Sequence, residues 1–177
     1  MSRNLLCHEL SLGEGSIKTL VKHLKMEGLI DATNYGTTMT EKGRKLASEI
    51  LSLIPAETAI PKCSIALGKF NYAVLVKGFS FAVKLGIEQR DGAIRIGALG
   101  ATTLLFKGGK FVMPGMTNHE SLKNESGIYG ILIDKLKPEQ DDVIIIGSDN
   151  EDKRRADLAA KNAALITIMN HDTHNHI

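Results

Sequence analysis

Helix signals concentrate in the first 54 residues of this chain, and strand-like runs begin only after Pro55. Proline lacks a backbone N–H and disfavours a helical residue before it, so it should end the last helix of the N-terminal part. The change of pattern predicts two domains of different class. The predicted division is a helical domain over 1–55, a linker over 56–62, an α+β domain over 63–170 and a polar His-containing tail over 171–177.

The composition is that of an ordinary globular protein. Hydrophobic residues make up 43% and charged residues 24% of the 177 residues. The balance of 22 basic and 20 acidic residues is too even to indicate nucleic-acid binding by itself. Cys7 and Cys63 form no CxxC pair, which argues against a zinc ribbon or a disulfide framework. With no signal-peptide run and no long apolar segment, we expect a soluble cytoplasmic protein.

The first domain has the order of a winged helix-turn-helix. A short helix over 3–10 and a glycine turn over 11–15 precede a helix over 16–26, for which Ser16 is the expected N-cap. A polar hairpin follows over 31–39, and then a helix that Thr40 can cap. In such modules the second helix lies in the major groove and the wing contacts DNA nearby. The residues Ile17, Leu20, Val21 and Leu24 form the apolar stripe of the second helix.

Opposite that stripe, the 16–26 helix is basic and polar. Lysines suit phosphates because they are flexible point charges, and short polar side chains suit base edges. A solvated face is the competing interpretation, since the first 60 residues carry seven basic and seven acidic residues. The order of the elements favours DNA contact. The predicted DNA-binding residues are Ser16, Lys18, Thr19, Lys22, His23, Lys25, Asn34, Tyr35, Thr37, Lys42 and Arg44.

The second part reads as β-β-α-β-β-α-β-α. This order predicts a two-layer α+β domain with a largely antiparallel sheet. The last helix should begin at a capping box formed by Ser148 and Glu151. The acidic residues there should cap the helix and repel an external anion. The expected strands are 64–67, 72–77, 101–106, 111–113 and 142–147, and the expected helices lie in 86–97, 128–136 and 148–168.

Motifs of catalysis are missing from the sequence. It has no GxGxxG, Walker loop, GxSxG or HExxH, so we predict a protein that is not an enzyme and uses no cofactor. Arg90 or Arg95, with Thr102 or Thr103, could bind an effector anion, although a helix ion pair plus a strand edge is the stronger interpretation. No metal site is predicted. His171, Asp172, His174 and His176 fit a polar terminus better than a metal site.

Two stretches carry a family resemblance. LSLGEGSIKTLVKHLKMEGLI (10–30) with TTMTEKGRKL (37–46) is similar to winged-helix transcriptional regulators. With YAVLVKG (72–78), the segment 87–114 and DVIIIGSDNEDKRRADLAAKNAALI (142–166), the chain resembles a small family of archaeal proteins that join such a module to a C-terminal domain of unassigned function. The resemblance implies a DNA-binding regulator. It places Ser16, Lys18, Thr19, Lys22 and His23 at the positions where such modules read DNA.

The resulting hypothesis is a homodimeric transcriptional regulator of duplex DNA. Its C-terminal domain would dimerise, sense a small molecule, or do both. A kinase-like enzyme carrying a winged helix is one alternative, disfavoured because a glycine-rich phosphate loop is missing. A winged-helix protein-interaction module is the other. Only two residues precede Arg3, where winged helices usually have a further helix. We expect either that this helix is missing, through natural shortening or truncation, or that another segment or a partner chain covers its place.

Overall fold

The computed structural model describes residues 1–10, 12–33, 35–115 and 126–172. It divides into two compact units, Met1–Ser52 and Leu53–Ile177, which we call unit 1 and unit 2. In unit 1, two helices precede an antiparallel hairpin and a third helix, the element order expected from the sequence. The elements are α1 (Arg3–Leu10), α2 (Glu14–Met26), β1 (Ile30–Thr33), β2 (Gly36–Met39) and α3 (Glu41–Leu53).

The N-terminal end of α2 differs from the prediction. The helix begins at Glu14 after an extended Gly13 that makes no side-chain cap, so Ser16 is not the N-cap and lies in the first turn. The acidic Glu14 favours this earlier start, because a negative charge stabilises the first turn of a helix. The apolar stripe is confirmed: Ile17 is fully buried, and Leu20, Val21 and Leu24 are half-buried.

Thr40 caps α3, as predicted, and also joins α3 to the end of α2. Its Oγ1 accepts a hydrogen bond from the Gly43 N–H at 3.0 Å and donates to the Gly28 carbonyl at 2.7 Å. Gly43 is buried against Leu29, where a Cβ would collide with the Leu29 carbonyl oxygen. The turn after α2 and the first turn of α3 are therefore packed backbone against backbone.

Met1 pairs with the hairpin of unit 1. Its ammonium group donates to the Thr37 carbonyl, and its own carbonyl accepts from the Thr37 N–H, both at 2.8 Å. Gly36 makes this approach possible. Its φ of +130° disfavours other residues, and a Cβ there would collide with the Met1 carbonyl.

Unit 2 is built on a five-stranded sheet in the order β3-β4-β7-β5-β6. Every strand pair described in it is antiparallel, which confirms the predicted sheet type. A 3-10 turn over Ser80–Ala82 follows β4. The elements are β3 (Glu57–Ile60), β4 (Phe70–Val76), α4 (Ile87–Arg95), β5 (Gly100–Lys107), β6 (Lys110–Val112), α5 (Ser126–Leu136), β7 (Val143–Asp149) and α6 (Lys153–Asp172).

Helices cover both faces of this sheet, so the two-layer prediction is wrong. On β7, Val143 and Ile145 pack in a cluster with α4 and α6, whereas Ile144 and Ile146 pack in a cluster with α5. Successive residues of a strand point to opposite faces, so a strand that is apolar at each of these positions needs cover on both sides.

Close packing between α6 and β7 rests on small residues. Five alanines of α6 are buried, and Gly147 lies beneath them. A Cβ at Gly147 would collide with the Ala156 carbonyl and the Ala160 N–H, so the helix backbone rests directly on the strand. The buried alanines are Ala156, Ala159, Ala160, Ala163 and Ala164.

Two predictions near the start of unit 2 are corrected. Residues 57–60, expected in a linker, form the edge strand β3, which pairs with β4 from Glu57↔Val74 to Ile60↔Asn71. The predicted strand over 64–67 is a turn-containing loop instead. Its Ile65 is buried in the α5-side cluster, which explains the apolar character without a strand.

The start of α6 is also corrected. Ser148 lies within β7, where its hydroxyl donates to Asn71 Oδ1 at 2.8 Å, so it caps no helix. Asp149 Oδ1 accepts instead from the N–H groups of Glu151 and Asp152, at 2.8 and 2.9 Å. Asp152 Oδ1 accepts from the Arg154 N–H. The predicted acidic self-capping is confirmed, with aspartates in place of the serine.

Candidate nucleic-acid interface

The outward face of α2 carries the predicted lysine strip. Lys18, Lys22 and Lys25 are all exposed and lie at spacings of four and three residues, which places them on one side of the helix. Acidic residues stand at both ends, with Glu14 at the first turn and Glu27 just after the last. The strip is therefore a local positive surface on a unit with little net charge.

Beside the lysines lies the polar strip of Ser16, Thr19 and His23. All three side chains are exposed. The Thr19 hydroxyl donates to the Gly15 carbonyl at 3.1 Å, so its hydrogen is used by the helix and its oxygen is left to accept. This strip can accept hydrogen bonds through hydroxyl oxygens and can both donate and accept through the imidazole.

The hairpin presents Tyr35 at its tip. This side chain is 99% exposed, and its backbone N–H donates to Thr33 Oγ1 at 3.2 Å. Thr37 is half-buried, and its hydroxyl donates to the Met1 carbonyl at 3.2 Å, so it serves the fold of unit 1. Asn34 lies outside the described residues.

The two predicted contacts on α3 hold the backbone of unit 1. Lys42 Nζ donates to the Glu27 carbonyl at 2.7 Å, and an Arg44 guanidinium nitrogen donates to the Met39 carbonyl at 2.8 Å. Lys42 thus supplies a cation at the C-terminal end of α2, where a helix prefers positive charge. Sequence reasoning assigned both residues to DNA, and the structure gives each a partner inside the unit.

In unit 2, the two threonines predicted to bind an effector lie on opposite faces of the sheet, and Arg95 is exposed on α4. Thr102 lies on the α5 side, where its hydroxyl donates to the Ile65 carbonyl at 2.7 Å. Thr103 lies on the opposite face and is 5% exposed; no partner of its hydroxyl is found in the described parts of the chain. The Arg90 guanidinium pairs with the adjacent Asp91 at 2.9 Å, the predicted helix ion pair. Thr102 and Thr103 pair with Ile146 and Ile145 of β7, whereas the described pairing of β5 with β6 covers only Leu105 to Lys107.

A cavity of about 420 Å³, which the sequence did not indicate, opens between the first turns of α6 and the β3–β4 edge. Lys69, Lys153 and Arg154 are the basic residues that line it, together with Phe70. The Lys69 and Lys153 ammonium groups lie 5.2 and 5.7 Å from the centre of that ring. The sequence shows an adjacent Lys69-Phe70 pair and a KRR run at 153–155. It does not show that they lie close together, which follows from the pairing of β4 with β7.

A family model described as "Domain of unknown function (DUF4443)" matches residues 67–168, more than half of the chain. The chain belongs to this family. The matched region contains α4, α5, β4 to β7 and most of α6, and it therefore includes the cavity residues on β4 and α6. The residues of α2 and of the hairpin lie before the DUF4443 region.

Among solved structures, the chain is similar to "Hypothetical protein PH0730 from Pyrococcus horikoshii OT3". The TM-score is 0.65 and the sequence identity 24%, over 98% of this chain and 85% of the other. At this identity the likeness extends to the fold alone. No curated protein matches the DUF4443 chain.

The described residues of this DUF4443 chain contain no group of three or more His, Cys, Asp or Glu side chains placed to hold a metal ion. Of the tail histidines, His174 and His176 lie outside those residues, and the side chains of His171 and Asp172 are not described. Within the same ranges, no helix is long and apolar enough to cross a membrane.

Proposed function

We propose that this chain is a DNA-binding transcriptional regulator that contacts duplex DNA through α2 and the β1–β2 hairpin. The observation that carries the proposal is the division of α2 into two faces. Ile17 is fully buried on one side, while the lysine strip and the polar strip are exposed on the other. An amphipathic helix joined by a short turn to an exposed hairpin has the parts that a winged helix uses on DNA.

Phosphate contact is assigned to Lys18, Lys22 and Lys25. Lysine ammonium groups on one helix face can follow the phosphates that border a major groove, and each contact releases condensed counterions. These contacts supply affinity without sequence preference. Tyr35 at the hairpin tip supplies a further contact to the backbone or to the minor groove beside it.

Base contact is assigned to Ser16, Thr19 and His23. Hydroxyl groups can hydrogen-bond to several base edges, and the imidazole adds a donor or an acceptor. No DNA contact is assigned to Lys42 and Arg44, because their hydrogen bonds to backbone carbonyls hold α3 in place. Replacing them would weaken binding only by loosening the module.

We also propose that the protein is a homodimer, in which unit 2 dimerises or senses a ligand. A two-fold operator offers two half-sites one helical turn apart, which a dimer of such modules fits. Light scattering coupled to size exclusion measures the mass directly against the 19.2 kDa of one chain. A monomer at all concentrations in the presence of DNA contradicts this assignment.

The test is binding to random duplex DNA over a salt series, measured by fluorescence anisotropy. We expect Lys18→Ala with Lys22→Ala to weaken binding to all sequences alike and to flatten the salt dependence by about one unit for each lysine replaced. The matched control is Lys107→Ala with Lys110→Ala, two exposed lysines at the β5–β6 turn of unit 2. The proposal fails if the α2 variant binds like the wild type at low salt, or if the control is weakened as much.

A second candidate, a protein-interaction module, is favoured by the apolar surface of unit 1. Several large apolar side chains are exposed there, as is common at protein-binding sites. The same anisotropy assay discriminates the two, since an interaction module would show no salt-dependent binding to duplex DNA. The exposed side chains are Leu5, Leu10, Leu12, Met26, Met39, Leu46 and Leu51.

A further inference from the structure

We propose that unit 2 binds a ribonucleotide in the cavity between the first turns of α6 and the β3–β4 edge, with the phosphates on Lys69, Lys153 and Arg154. This site lies within unit 2, goes beyond the proposed DNA binding and does not depend on it. Its volume of about 420 Å³ falls in the range of roughly 300 to 1,000 Å³ that small-molecule sites occupy.

Two lysines that line the cavity lie beside the Phe70 ring. Lys69 comes from the start of β4 and Lys153 from the start of α6, and both ammonium groups lie near the same ring. Two like charges near one ring repel each other, and a phosphate that contacts either ammonium group lowers that repulsion. Because a cation–π contact at an exposed site is weak, each lysine can turn to a phosphate and gain a stronger charge-assisted hydrogen bond.

Two acidic groups near the cavity, Asp157 and Glu57, are paired with Lys161. Lys161 Nζ lies 2.8 Å from an Asp157 oxygen and 3.0 Å from a Glu57 oxygen. Burial acts to lower the pKa of Lys161, but its hydrogen bonds to Asp157 and Glu57 outweigh burial and raise it, so the lysine stays charged. Lys161 therefore partly neutralises both Asp157 and Glu57.

The α6 backbone is not the anion site. Asp149 accepts the N–H groups of Glu151 and Asp152, Asp152 accepts that of Arg154, and the Asp149 carboxylate lies 3.6 Å from Arg155. The helix end is therefore occupied by its own aspartates. We therefore place the phosphates on the side chains of Lys69 and Lys153, which line the cavity.

The rest of the cavity suits a sugar and a base. Phe70 and Tyr72 are two residues apart on β4 and so share one side of the strand, and their rings offer planar apolar walls. Asp157 lies four residues after Lys153 on α6, which places the two side chains about 5–6 Å apart on the same face. A cation at one end and a carboxylate acceptor one turn away match a phosphate and a ribose hydroxyl of one molecule.

The experiment is isothermal titration calorimetry of the full chain with AMP, ATP, GMP and GTP. Adenosine serves as a probe of the base and ribose without phosphate, and tripolyphosphate as a probe of the phosphates alone. We expect at least one nucleotide to bind more tightly than either fragment. Lys69→Gln with Lys153→Gln should weaken that binding at least about tenfold, because it removes two charge-assisted hydrogen bonds.

The matched control removes the same charge elsewhere, with Lys107→Gln and Lys110→Gln, and thermal melting checks that both double variants fold. Retained binding in the control supports the site. Equal weakening in both variants overturns it, since general charge would then explain the binding. No nucleotide binding at millimolar concentration also overturns it. A third result would overturn it as well: mononucleotides do not bind, but a single-stranded oligonucleotide binds and the Lys69→Gln, Lys153→Gln variant binds it more weakly. That result would assign the surface to a nucleic-acid polymer.

Discussion

Unit 1 and unit 2 differ in how their cores are built. Of the large apolar side chains that are fully buried in the described residues, Ile17 belongs to unit 1 and the rest belong to unit 2. Unit 2 buries both faces of its sheet in two clusters. In unit 1, side-chain hydrogen bonds to backbone carbonyls and half-buried side chains join α2 to α3. We therefore expect most of the free energy of unfolding to come from unit 2, because most side chains of unit 1 are at least partly exposed.

The largest expected effect is in the centre of unit 2. Ile145→Ala removes three carbons from a residue with no exposed surface on the central strand β7. We expect a decrease of about 4 kcal/mol in the free energy of unfolding, because the cavity is surrounded by strands and helix that cannot collapse into it. Urea unfolding followed by circular dichroism measures it. Leu158→Ala, at an α6 position that is 48% exposed, is the control and should cost less than about 1 kcal/mol.

The matched test in unit 1 is Ile17→Ala. We expect a decrease of about 3 kcal/mol in the free energy of opening unit 1 alone, because this is the side chain of α2 that is completely buried. Hydrogen exchange should show faster exchange in α1, α2 and the hairpin, with unchanged protection in β4, β5 and β7. An equal decrease of protection in both units would contradict the division of stability between them.

A smaller, pH-dependent effect is expected at the start of α6. Burial acts to raise the pKa of Asp149, but hydrogen bonds from the Asp152 and Glu151 N–H groups and the charge of Arg155 outweigh burial and lower it below the ordinary 3.8. A carboxyl with a lowered folded pKa stabilises the fold above its unfolded pKa and loses that contribution as the pH falls through the folded value. The window therefore lies below about pH 4.

Asp149→Ala should remove about 2 kcal/mol at neutral pH, since two backbone N–H groups lose a charged acceptor. Unfolding midpoints from pH 7 down to pH 2.5 provide the measurement, and the difference between variant and wild type should shrink toward the acid end. Asp134→Ala is the control, because that carboxylate is 73% exposed beside Lys135. A constant difference at every pH would mean that the carboxylate charge has no role.

Features that depend on the local period of apolar residues could be predicted from the sequence, whereas features that depend on the topology of the sheet could not. The apolar stripe of α2 and the antiparallel sheet follow from local patterns. The edge strand Glu57–Ile60 was missed because it is four residues long, carries a charge and ends beside Pro61, features that are common at sheet edges. The apolar run over 64–67 was wrongly predicted to be a strand, since its Ile65 packs against the sheet without pairing with a strand.

Site residues show the same division. Exposure of Lys18, Lys22 and Lys25 followed from the helical period. The backbone contacts of Lys42 and Arg44 did not, because long side chains reach carbonyls that only the folded chain brings near. No local pattern could predict that Lys69 and Lys153 lie near each other, since they are 84 residues apart in the chain. The pairing of Phe70 with Asp149 brings them together.

Gly147 and the alanines above it have a consequence for how a signal can pass through unit 2. Where backbone rests on backbone, there are no side-chain rotamers to exchange, and the contact has a single arrangement. α6 and β7 must then move as one rigid body. We expect a displacement of the first turn of α6, where Lys153 lies, to shift β7 and to repack the larger side chains on the α5 side of the sheet.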